Sequence, residues 1–119
     1  MTTRLFLLAF WSATAFATVM ALLPAPPGLP VEVSDKVMHM VAFFTLAVLA
    51  AGAYPHIALI RIGVALGAFG AAIELAQLIP MLNRYGDVMD WLADMVAIVA
   101  ALLLVALWRK WLSGASDKP

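Results

Sequence analysis

Four long runs of apolar residues leave this chain little else to fold with. They cover residues 5–23, 37–53, 57–79 and 88–107. A membrane-crossing helix needs about 20 mainly apolar residues, within a working range of roughly 17–25, and all four runs meet it. The breaks fall where helices stop. Pro24, Pro26, Pro27 and Pro30 close the first run, Pro55 follows the second, Pro80 ends the third, and Arg109 and Lys110 follow the fourth. Composition agrees: 66% of residues are hydrophobic and 12% charged, against about 45–50% and about 25% in soluble domains. The expectation is an all-α, polytopic membrane protein, a four-transmembrane-helix bundle forming one domain over residues 1–119.

The first run also carries features of a cleavable leader, with Arg4 ahead of it and Ala15-Phe16-Ala17 near its end. Its apolar stretch exceeds the roughly 7–15 residues of such a segment, so it is expected to stay as a helix. Cations set the expected orientation. Arg4, Arg61, Arg109, Lys110 and Lys118 fall on one side, and Lys36 and Arg84 on the other. The richer side is expected to be cytoplasmic, with both termini inside. Trp108 and Trp111 then belong to the inner interfacial belt and Trp91 to the outer one.

Seven Lys and Arg balance seven Asp and Glu, which gives no footing for nucleic acid. The absence of Cys excludes disulfides, thiolate metal sites and a thiol nucleophile. The informative polar residues gather at the expected outer side. Asp35, Lys36 and His39 open the second helix, Glu74 and Gln77 close the third, and Arg84, Asp87, Asp90 and Asp94 lead into the fourth. Ionisable groups in the apolar layer are costly and normally face protein or water, which makes them candidates for function.

Periodicity gives their direction. At 100° per residue, Gly63, Gly67, Gly70, Glu74 and Gln77 fall within about 40° of one another's mean direction. The GxxxG spacing of Gly63 and Gly67 allows close helix approach, so Glu74 is expected to point into the bundle. Asp35 and His39 share a face with Ala42 and Leu46, and Asp87, Asp90 and Asp94 share one with Ala97 and Ala101. Together they form one expected ligand-binding cluster of two cations, five carboxylates and His39. Its formal charge is −3 with His39 neutral. Shielded from water, it requires a protonated His39, a protonated carboxylate or a held cation.

Plainer roles compete for each residue. Ser34 suits a helix N-cap and Asp35 the positive end of a helix dipole. Asp87 and Asp90 have capping-box spacing. Lys36 suits snorkelling to the interface, and Arg84 balances nearby acids. Gln77 suits a hydrogen bond to Glu74. His56 belongs at the opposite surface from His39, which argues against a bis-His haem site.

In order and placement, three elements resemble the VanZ-like family of small membrane proteins. They are Asp35-Lys36-Val37-Met38-His39, then Glu74-Leu75-Ala76-Gln77 with Pro80 and Arg84, then Asp87 to Asp94 entering the last helix. Asp94 stands where the family usually has Asn, Ala97 and Ala101 where it tends to have Gly, and the Pro80-to-Arg84 segment is longer. The resemblance implies a multi-pass protein of a bacterial-type cytoplasmic (inner) membrane, associated in the founding member with teicoplanin resistance. It implies no established reaction.

Three functional classes follow. In the first, the outer cluster binds an envelope head group or amphiphile, such as a cell-wall precursor, with membrane lipid as its setting. In the second, the chain is an accessory subunit packed against partner subunits of a larger membrane complex. In the third, it is an enzyme. No cofactor is called for by motif, although the acidic cluster suits a divalent cation with oxygen ligands. No P-loop, HExxH or G-x-S-x-G spacing is present, so the enzyme class has the least support.

Overall fold

The computed structural model describes residues 3–23, 31–79 and 88–116, with side chains for all of these except 31–35, 115 and 116. The described residues form four helices: α1 (Thr3–Leu22), α2 (Val31–Ala53), α3 (Leu59–Ala76) and α4 (Val88–Ser116). Each is long and apolar enough to cross a membrane. Even α3, with 18 residues, spans about 27 Å at 1.5 Å per residue, close to a hydrocarbon core of about 30 Å.

Helix ends depart from the apolar limits. α2 begins at Val31 instead of residue 37, so Ser34 lies inside the helix and is not its N-cap. α4 continues through Arg109 and Lys110 to Ser116, because no Pro or Gly interrupts it before Gly114. Polar residues end an apolar run without ending a helix. α3 is shorter than its apolar run. Gln77 caps it, its backbone N–H donating to Ile73 and Leu75, and Leu78 and Ile79 then close two i→i+3 turns ahead of Pro80.

Successive helices run antiparallel: Phe6 near the start of α1 lies against Gly52 near the end of α2, Gly70 late in α3 lies against Trp91 early in α4, and residues 54–58 turn the chain back between α2 and α3. Trp11 Nε1 donates to the Tyr54 hydroxyl at 3.0 Å, joining mid-α1 to the end of α2. Arg109 donates to the Ala51 carbonyl at 2.9 Å, satisfying one of the acceptors that the last turn of α2 leaves open. α2 is the central element, packed most extensively on α4 and α1, while α3 packs mainly on α4. The α2–α4 seam is built from small residues: Ala47, Ala50, Ala97 and Ala101 are all buried around Leu46 and Ile98. Without a hydrophobic driving force in lipid, such close backbone approach supplies the packing.

The outward faces are apolar on every helix, including Phe16, Val41, Val64, Val96 and Leu107. That much contiguous apolar surface is untypical of a soluble monomer and suits a lipid environment. Hydroxyls on these helices bond within their own turns. Thr14, Thr18 and Thr45 donate to the carbonyls of Phe10, Thr14 and Val41 at 2.7–2.8 Å.

Candidate functional site

The ends of α1 and α3 and the beginnings of α2 and α4 meet at one end of the bundle. α3 carries its small-residue stripe toward α4, where a Cβ on Gly63 would lie 3.1 Å from Leu102 and one on Gly67 2.9 Å from the Met95 sulfur. Glu74 continues this stripe and is 7% exposed. From α2, the one-turn spacing His39–Phe43 and then Leu46 gives a buried face. From α4, Asp94 lies one turn before Ile98 and on the face of Ala97 and Ala101, at 1% exposure.

These three faces bring His39, Glu74 and Asp94 together. His39 Nδ1 lies 3.5 Å from Glu74 Oε1 and 3.9 Å from Asp94 Oδ2. The separations are those of ion pairs and are longer than ordinary hydrogen bonds. Neither carboxylate oxygen of Asp94 accepts a hydrogen bond from the described residues. A carboxylate so enclosed is expensive, by several kcal/mol for an unpaired ion. Lys36 and Asp90 form an outer pair at 3.5 Å, with Lys36 half exposed and Asp90 mostly covered. In this setting the pair contributes little stability, on the order of 0–1 kcal/mol.

Gln77 joins the same end by a different route. Its side-chain amide donates to the Ala21 carbonyl at 2.9 Å, tying α3 to the last turn of α1. Trp91, in the first turn of α4, turns its indole into the bundle. Its indole N–H donates to the Gly67 carbonyl at 2.9 Å, and its ring edge passes close to Gly70. The glycine stripe leaves room for that ring.

Of the nine residues expected to cluster, Lys36, His39, Glu74, Gln77, Asp90 and Asp94 lie at this end. The side chain of Asp35, and Arg84 and Asp87 altogether, lie outside the described residues.

A feature with no counterpart among the polar motifs adjoins them. A cleft of about 390 Å³ runs between α1, α2 and α3, lined by Ala17, Met20, Val37, Phe43, Phe69 and Ile73 among others, and His39 also lines it. Its volume lies in the roughly 300–1,000 Å³ range of ligand clefts. Ala13, Ala17 and Ala21, spaced by four, make the α1 wall shallow. That small-residue spacing was the available sequence signal for it. His39 is thus shared between an apolar slot and a buried acidic pair.

Compared with known proteins, the chain matches no family model, no curated protein and no solved structure.

Proposed function

We propose that the protein is a multi-pass envelope membrane protein that holds an amphiphile, with the apolar tail in the α1–α2–α3 cleft and the head group at the polar cluster. The observation that carries this reading is the position of His39, which lines the cleft and faces Glu74 and Asp94. An amphiphile needs that junction of apolar slot and charge. The carboxylates suit an ammonium group, and Lys36, half exposed at the rim, suits a phosphate. A zwitterionic head group therefore fits the chemistry best. The excess of cations at the other connections supports termini on the cytoplasmic side and a cluster at the outer face. The resemblance to VanZ-like proteins supports a bacterial-type inner membrane and extends the reading to teicoplanin.

Native mass spectrometry of the full chain tests lipid retention. The wild-type protein should carry a co-purifying amphiphile, and Ala17→Phe, which fills the cleft away from the charges, should lose it while remaining folded. Equal retention in both would remove the basis of the reading. A stoichiometric complex with other subunits, and no retained lipid, would favour the accessory role instead. Expression in a teicoplanin-susceptible host should raise the inhibitory concentration; no change would sever the link to resistance.

A further inference from the structure

The geometry points to a divalent transition-metal site formed by His39, Glu74 and Asp94. One donor atom from each residue lies within 4.8 Å of the others. Ligands about 2.0–2.2 Å from a tetrahedral ion lie roughly 3.3–3.6 Å apart. The His39 separations of 3.5 and 3.9 Å are close to that, and the widest pair has to close by about an ångström. The second observation is Asp94 itself. It is 1% exposed, it accepts no hydrogen bond from the described residues, and its Oδ2 is directed at the His39 ring nitrogen. A carboxylate at that depth is shaped for an electrophile.

Charge selects the class of ion. Two carboxylates and a neutral imidazole carry −2, which a divalent cation cancels within the low-dielectric interior. The donor set of one nitrogen and two oxygens suits Zn²⁺ or Mn²⁺ better than Ca²⁺ or Mg²⁺, which prefer all-oxygen shells. Three protein ligands leave at least one coordination position for water or another oxygen donor. The three residues come from α2, α3 and α4, so the ion would fasten three helices at one point. This inference does not depend on the amphiphile, whose ammonium group would compete with the ion for the same two carboxylates: the metal alone is the probe.

The test uses the full chain in detergent, stripped with chelator and titrated separately with Zn²⁺ and Mn²⁺. Metal content after dialysis and the thermal midpoint are the readouts. One ion per chain and a raised midpoint, reversed by chelator, are expected for the wild type and for Arg61→Ala at the opposite end. Asp94→Asn and Glu74→Gln should lose more affinity than the roughly 10–100-fold typical of an outer-shell partner. If Asp94→Asn does not fold, Glu74→Gln and His39→Gln carry the decision. Absence of retained metal and of any midpoint shift in the wild type overturns the site. So does a shift of equal size in the ligand variants, which marks adventitious binding. Ala17→Phe should still bind metal, which separates failure of this site from failure of the lipid reading.

Discussion

Asp94 is buried at a cost to the bundle. Its burial beside Glu74 puts two carboxylates against a single imidazole. In metal-free protein, Asp94→Asn removes the surplus negative charge while keeping the shape. It should therefore match or exceed wild-type stability, by up to about 1–3 kcal/mol, the cost of a poorly compensated buried polar group. Reversible unfolding in mixed micelles measures this, and a loss of several kcal/mol would instead make Asp94 a structural tie. Gln77 should behave in the opposite way. Gln77→Leu deletes the bond to Ala21 and should cost about 0.6–1.7 kcal/mol, as for other interhelical hydrogen bonds in membranes. Hydrogen exchange should rise at the end of α1, and unchanged protection there would count against the tie. The sequence made one of these directions legible and left the other hidden. Glu74 follows the glycine stripe, whose period points inward. Gln77 follows it too, but its acceptor is a backbone carbonyl 56 positions away, which no side-chain pattern reveals.

Among the helices, two glycine contacts rank differently. A Cβ at Gly52 would run into the Phe6 ring from its attachment carbon outward, whereas one at Gly67 would meet the flexible Met95 thioether. Gly52→Ala should thus push α1 off the end of α2 and cost about 1–3 kcal/mol. Gly67→Ala should cost less, because Met can rotate away. Thermal midpoints compare the two, and the reverse order would show that Phe6 yields more easily than its ring position implies. The existence of four helices was legible because an apolar run of this length has few alternatives. Their ends were less so. Hydropathy locates where apolar residues stop, and α2 and α4 carry their hydrogen-bond ladders into polar sequence at Glu32–Lys36 and at Arg109–Ser113. The inward partner of Trp91 was likewise not legible. Hydropathy and aromatic-belt rules place an indole by depth, whereas its partner here is the backbone carbonyl of Gly67, with the bare backbone at Gly70 giving the ring space.

The whole molecule has a native advantage for topology mapping, since it contains no Cys. Single cysteines at Ile79, beside the cluster, and at Lys110, at the far end, report the two faces. With the proposed orientation, Ile79→Cys should react with an impermeant maleimide in intact cells, and Lys110→Cys only after permeabilisation. The reverse pattern would invert the protein and turn the cluster toward the cytoplasm. Across the molecule, α1 is the least enclosed helix, with 11% of its spanning window buried. It is buckled to its neighbours at Trp11 and Ala21, and its cleft-facing residues, from Ala13 to Ala21, lie along the strap between these buckles. Undoing either fastening should therefore slacken one mouth of the slot and leave the other held, so that α1 swings as a stave on a single rivet.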